Sequence, residues 1–222
     1  MSRRGAPVEV VLFDLDGVLA DSRHAITTCM NAALVAAGVP PWPEAELYRF
    51  VGPSLSHGFS EILGVDPDDA AVAACIHDYR ARYGEVFVRD TPAYPGVVDA
   101  VEALGETHRL GVATSKPRAF AEPLLAGLGL RECFEVVAAP ELDLHVESKS
   151  VTVRAALGAL DAAGRGGAMV GDRHVDMRAA HDHGLLAVGA LWGFGGEDEL
   201  RKAGADVLVA SPAELASAVL RR

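Results

Sequence analysis

Apolar residues recur along this chain in short unbroken runs, separated by stretches of helical periodicity. The first run, Val8-Glu9-Val10-Val11-Leu12-Phe13, is stopped by Asp14 and Asp16 and broken at Gly17. β-Branched and aromatic residues in such a run predict a buried strand that ends at a sheet edge. Comparable runs follow over residues 110–115, 134–139, 168–172, 185–191 and 206–210. Helical stretches lie between the later ones, over residues 97–107, 119–128, 148–163, 177–183 and 197–203. This alternation predicts an α/β fold, a parallel sheet with helices on both faces. Near the C-terminus Ser211 offers an N-cap, Pro212 suits the first helical position and Glu214 would complete a capping box.

Residues 21–90 break the alternation, with helical signals and no convincing strand. Ile26, Met30, Ala33, Leu34 and Ala37 fall on one helical face. Asp66-Pro67 predicts the opening of a further helix running through Cys75, Tyr79 and Tyr83. Pro40, Pro41 and Pro43 punctuate the first two segments, and residues 91–96 mark the return to the core. The organisation expected is a core from residues 1–20 and 91–222, with a small α-helical module of residues 21–90 inserted after the first strand. Neither an internal repeat nor a low-complexity tract is present.

Composition narrows the function classes. Half of the 222 residues are hydrophobic and the net charge is −11, so a basic stripe for a nucleic-acid polymer is missing. Lys116, Lys149 and Lys202 are the only lysines. Cys29, Cys75 and Cys133 are odd in number and widely spaced, which fits neither a disulfide framework nor a zinc site and favours a reducing cytoplasm. The first seven residues lack an apolar leader core, and no run is long enough to span a membrane. A soluble cytoplasmic protein, monomer or homodimer, acting on a small molecule is the expectation.

Parallel α/β sheets build sites outside the carboxyl ends of their strands, so the polar groups ending the strands matter most. The first strand ends in Asp14 and Asp16, the second in Thr114 and Ser115, and the fourth in Gly171-Asp172, with Asp176 a helical turn beyond. Lys149 stands at a helix start facing the same edge. Adjacent carboxylates repel and resist desolvation, so a hard cation such as Mg²⁺ would compensate them. One acid could then attack while the other moves protons. An acidic turn facing solvent is the alternative for the pair taken alone.

Taken together, these residues resemble the haloacid dehalogenase-like hydrolase superfamily, the aspartate-nucleophile phosphatases. Asp14-Leu15-Asp16-Gly17-Val18-Leu19 is similar to its first motif, Thr114 to its second, Lys149 to its third and Gly171-Asp172-Arg173-His174-Val175-Asp176 to its fourth. The helical insert resembles the mobile cap of the superfamily's first cap class. Thr114-Ser115-Lys116-Pro117, Gly171-Asp172-Arg173 and Leu191-Trp192-Gly193-Phe194-Gly195 look like the phosphoglycolate phosphatase branch, some relatives of which are 5′-nucleotidases. The resemblance implies a Rossmann-like core and a phosphatase in which Asp14 attacks phosphorus to form an aspartyl-phosphate and Asp16 is acid, then base. It implies Mg²⁺ held by the Asp14 side chain, the Asp16 backbone carbonyl and Asp172, with Asp176 steadying Asp172 or a metal-bound water. Thr114, the Ser115 and Gly17 amides and Lys149 would hold the phosphoryl oxygens.

Substrate choice would fall to the cap, where Arg49, Ser54 and His57 flank a helix start able to greet an anion, and to Lys116, which would either touch substrate or face water. Arg80 and Arg82 read as a charged helix face. His174, His181 and His183 read as surface residues, Trp192 and Phe194 as loop packing, and residues 164–167 as a turn. Asp16 argues against dehalogenation, which proceeds without that acid, and the absence of lysine before Lys116 argues against Schiff-base phosphonate cleavage. A β-phosphoglucomutase-type mutase shares the four motifs. A receiver-type signalling domain would carry its aspartate on a middle strand and lack the insert.

Overall fold

Val10, Val11, Leu12 and Phe13 are all buried, and they form the central strand because both faces of the sheet are covered. The structure, a computed structural model, describes residues 8–52, 54–142 and 148–219. In chain order its elements are β1 (Val10–Phe13), α1 (Arg23–Ala36), α2 (Glu44–Leu47), α3 (Leu55–Leu63), α4 (Ala70–Val86), α5 (Val97–Gly105), β2 (Arg109–Ala113) and α6 (Arg118–Gly127). Then follow β3 (Val136–Ala138), α7 (Lys149–Ala159), β4 (Gly167–Gly171), α8 (His174–Asp182), β5 (Leu186–Ala190), α9 (Glu197–Lys202), β6 (Val207–Val209) and α10 (Leu215–Val219).

All six strands are parallel, in the order β3-β2-β1-β4-β5-β6. The chain leaves β1 in both directions, so the strand order reverses between β1 and β4. Outside the carboxyl ends of those strands such a sheet opens a crevice. Side chains alternate along each strand. Val10, Leu12, Ala113 and Met169 pack with Val153, Ala156 and Leu157 of α7 and with Met177 and Ala180 of α8. Helices α5 and α10 cover the opposite face, burying Val97, Val101, Leu104 and Leu215.

The chain folds as two compact units, one formed by Met1–Asp21 with Ala93–Arg222 and the other by Ser22–Pro92. The second is helical, with α1 and α3 both packed on α4. Its centre is a ladder of rings: Phe59 meets Tyr79 edge-on, Tyr79 stacks on Tyr83 at 5.3 Å, and Tyr83 stacks on Phe87 at 5.5 Å. As expected, α4 runs through Cys75, Tyr79 and Tyr83, and these residues, four apart, are buried along one of its faces.

Local chemistry departs from expectation at three places. Asp66 does not open α4; it accepts the Asp68 amide in a turn, and Asp69 caps the helix by accepting the Ala71 amide at 2.8 Å. Ala37 lies past the end of α1 and is exposed. The capping box at Ser211 does not close, because the Ser211 hydroxyl donates to Glu214 at 3.2 Å instead of accepting a backbone amide. A short 3₁₀ turn, Pro212–Glu214, precedes α10 there. Residues 1–7 and Pro53 of the expected cap turn lie outside the described residues.

Candidate active site

The turn after β1 is built from backbone geometry. The Asp14 amide continues the ladder to the Val170 carbonyl at 2.9 Å, and the amides of Leu19 and Ala20 fold back onto the Leu15 carbonyl. Gly17 takes φ +88°, a left-handed conformation that favours glycine, and a Cβ there would lie 2.2 Å from Asp172 Oδ2. Its amide donates to the Ala20 carbonyl at 2.9 Å. Gly17 thus contributes close approach, and its N–H, expected to hold phosphate, donates inside the turn.

Asp172 follows β4 and is wholly buried. Its Oδ2 accepts the Phe194 amide at 2.7 Å, while Oδ1 has no hydrogen-bond partner. Asp176, in the first turn of α8, accepts the Arg173 amide at 3.0 Å. Lys149, the first residue of α7, places Nζ 2.7 Å from Asp14 Oδ1 and 2.9 Å from Asp176 Oδ1, with 3% of its side chain exposed. It thus ties the end of β1 to the start of α8.

The charges do not balance. Burial, then the charges of Asp176 and Asp16, push the Asp14 carboxyl up to about 6 against the pull of Lys149. Burial, then Asp176 and Asp14, raises Asp172 well above the usual carboxylate range. Burial opposes the charge on Lys149, but Asp14 and Asp176 outweigh it and raise its pKa. Three acids face one ammonium, and one oxygen from each of Asp14, Asp172 and Asp176 lies within 4.8 Å of the other two. An all-oxygen, negatively charged pocket with an unpaired buried carboxylate oxygen fits a hard divalent cation such as Mg²⁺.

Asp16 stands apart from that cluster. Both its oxygens lie 3.0 Å from Lys116 Nζ, in an ion pair whose lysine side chain is 4% exposed. The open alternative that Lys116 faces water is thereby corrected; a carboxylate one hundred residues away draws it inward. Thr114 is buried, and its hydroxyl accepts the Lys116 amide at 3.1 Å, which leaves its own proton to donate. Ser115 beside it is half-buried.

Within the helical unit, Ser54 Oγ accepts the His57 amide and so caps α3. Arg49 pairs with Glu61 at 2.8 Å and lies over the Phe50 ring, while His57 Nε2 lies 3.8 Å from the same carboxylate. His174, His181 and His183, in α8 and just past its end, go to three separate partners, Glu199, Asp206 and Ser150, and form no cluster.

The loop after β5 was missed as a functional element. Besides the Phe194 amide on Asp172, the Trp192 indole N–H donates to the Val18 carbonyl at 3.1 Å. A Cβ at Gly193 would lie 2.3 Å from Asp172 Cβ, and one at Gly195 would lie 2.0 Å from the Asp172 carbonyl oxygen. Two glycines spaced around an aromatic residue directly after a strand were the available signal.

Acid-ended parallel strands with a buried lysine between them suit a hydrolase of phosphate esters. The chain belongs to the haloacid dehalogenase-like hydrolase family, whose model matches residues 11–190, and it is a phosphatase of that family. It is 34% identical over 192 residues to a 5′-nucleotidase from Pseudomonas aeruginosa, covering 86% of each chain. It is 33% identical over 221 residues to a phosphoglycolate phosphatase from Cupriavidus necator, covering 95% of this chain and 93% of that one. A crystal structure described as a predicted phosphatase from Clostridium acetobutylicum superposes with a TM-score of 0.90 at 30% identity, covering 98% of this chain and 100% of the other. Among the described residues no helix is long and apolar enough to cross a membrane.

Proposed function

We propose that this phosphatase hydrolyses a small phosphomonoester through an aspartyl-phosphate on Asp14, with Mg²⁺ as its metal. The observation that carries the reading is the oxygen cluster of Asp14, Asp172 and Asp176, closed on one side by Lys149. The Asp14 and Asp172 side chains and the Asp16 backbone carbonyl, with Asp176 adjoining, would hold Mg²⁺, which would supply the positive charge that lets one anion approach another.

The protein's own groups do the rest. Asp14 attacks phosphorus, so that a carboxylate–phosphorus bond forms as the ester P–O bond breaks. Asp16 gives its proton to the departing alkoxide and later takes one from the water that cleaves the acyl phosphate. Thr114 and the Ser115 amide hold phosphoryl oxygens, together with the third N–H of Lys149, whose other two face Asp14 and Asp176. Residues 21–90 act as the cap that selects substrate. Arg49 and His57 already face Glu61, so a substrate anion would compete with that carboxylate.

Phosphoglycolate is the preferred substrate class, a small metabolite in the cytoplasm. The likeness to the Cupriavidus enzyme supports the substrate, and three free thiols support the compartment. A nucleoside monophosphate is the second reading, supported by the 34% identity to the Pseudomonas 5′-nucleotidase. Purified protein should hydrolyse an aryl phosphate only with added Mg²⁺, and Asp14→Asn should abolish turnover. Undiminished turnover in that variant would refute the nucleophile. Ranking phosphorylated metabolites by kcat/KM then decides the substrate.

A further inference from the structure

Lys116 is a buried lysine to which the chemistry above assigns no step, yet it sits on the group that must move a proton. Its ammonium lies 3.0 Å from each oxygen of Asp16. Its backbone is fixed on both sides, by the hydrogen bond its amide donates to Thr114 Oγ1 at 3.1 Å and by Pro117, which precedes α6. An Asp16 held through both oxygens cannot turn toward a leaving alkoxide while that pairing lasts. Separating a buried ion pair is also strongly unfavourable unless another charge compensates. Lys149 cannot substitute, since Asp14 and Asp176 hold it. An anion that arrives with the substrate can take the place of Asp16 at the ammonium.

The position of Asp16 tells which part of the substrate brings it. On the phosphatase reading, which this inference rests on, the acid stands beside the ester oxygen that leaves. We propose that Lys116 is a specificity-determining residue that binds an anionic group on the leaving alcohol, a carboxylate or second phosphate close to the ester oxygen, and in doing so frees Asp16 to act on that oxygen. The substrate thus releases its own acid. An alcohol without a nearby anion, such as a nucleoside, leaves the Lys116–Asp16 pair closed. Because the exchange is completed on the way to the transition state, the preference falls on kcat as well as on KM.

The test uses three esters: 2-phosphoglycolate, an alkanediol bisphosphate, and 2-hydroxyethyl phosphate, which matches phosphoglycolate in size but has no second anion. The wild-type enzyme should turn over the first or second with a higher kcat than the third, and whichever leads distinguishes carboxylate from phosphate. Lys116→Gln should erode the preference by about 30-fold or more, and Lys116→Arg should keep most of it. An equal loss on all three esters would overturn the proposal and leave Lys116 as a support for Asp16 alone. An unaltered preference would overturn it too.

Calorimetry in the Asp14→Asn background gives a second reading that needs no turnover. Adding Lys116→Gln there should weaken 2-phosphoglycolate at least about tenfold more than 2-hydroxyethyl phosphate, and equal weakening would overturn the proposal. A wild-type enzyme that hydrolyses none of the esters would remove the phosphatase reading, while the calorimetric ratio would still judge Lys116. If Lys116→Gln does not fold, as melting curves would show, Lys116→Met takes its place in both measurements.

Discussion

The backbone at Gly193 runs so close to Asp172 that a Cβ there would lie 2.3 Å from Asp172 Cβ and 2.6 Å from its Oδ2. On the other side the same Cβ would lie 2.5 Å from the Gly17 carbonyl oxygen. These neighbours are backbone and a wholly buried side chain, so no flexible tip can yield. The close approach is also what lets the Phe194 amide hold Asp172 Oδ2 and leave Oδ1 open. Gly193→Ala should push the loop away and misplace Asp172, at a loss of about 100-fold in kcat/KM. Mg²⁺ binding, followed by titration calorimetry, should weaken in parallel. Wild-type Mg²⁺ affinity in the variant would show that the loop does not position Asp172.

Lys149 joins Asp14 to Asp176 with both ion pairs out of solvent. Removing one partner of such a set leaves charges that nothing offsets, which costs about 3–5 kcal/mol. Lys149→Met, nearly isosteric in its stem, should destabilise the metal-free protein by that amount, read from the shift of its urea unfolding curve. A midpoint close to wild type would mean that the carboxylates are balanced by another group.

Much of this site was legible in the sequence, for a physical reason. Asp14, Asp16 and Asp172 end strands that are buried on both faces, and the sequence marks them as acids with no comfortable structural role. All six strands announced themselves as apolar runs, although β3 and β6 pair on one side only and shrink to three residues each. What escaped depends on approach in space. Nothing local to Lys116 points to Asp16, and nothing local to Gly193 points to Asp172. The choice of Asp69 over Asp66 as a helix cap was equally hidden, because both acids are good caps and only the turn between them decides.

The raised carboxyls make a prediction about the metal-free protein. Asp14 has a folded-state pKa of about 6 against 3.8 for an ordinary aspartate, with burial as the main cause. Its contribution to stability is therefore fully favourable below pH 3.8 and is lost as pH rises through 6. The loss amounts to about 3 kcal/mol at the upper end. EDTA-treated protein should lose stability across that window, and added Mg²⁺ should restore it above the window. Asp14→Asn should flatten the loss, and Asp172→Asn should raise the metal-free melting temperature at pH 7.5. A metal-free melting temperature that climbs between pH 4 and pH 7 in the wild type, and is unaffected by either substitution, would show that the buried acids carry no such strain.

Glu199 should behave with the opposite sign. Its Oε1 accepts from Arg173 Nε at 3.0 Å, the His174 amide at 2.9 Å and His174 Nδ1 at 2.8 Å, tying α9 to the start of α8. Burial alone would push the carboxyl up, but these hydrogen bonds prevail and hold it down to about 2. The unfolded chain takes up this proton near pH 4.5, whereas the folded chain waits until about 2. The stabilisation is therefore complete above 4.5 and is lost as pH falls toward 2. Glu199→Gln should melt below wild type at pH 6, and the gap between the two should close steadily on acidification. Melting curves at half-unit pH steps measure that gap directly, and a gap that stays constant down to pH 3 would show that the Arg173–Glu199–His174 contacts do not depend on the carboxylate charge.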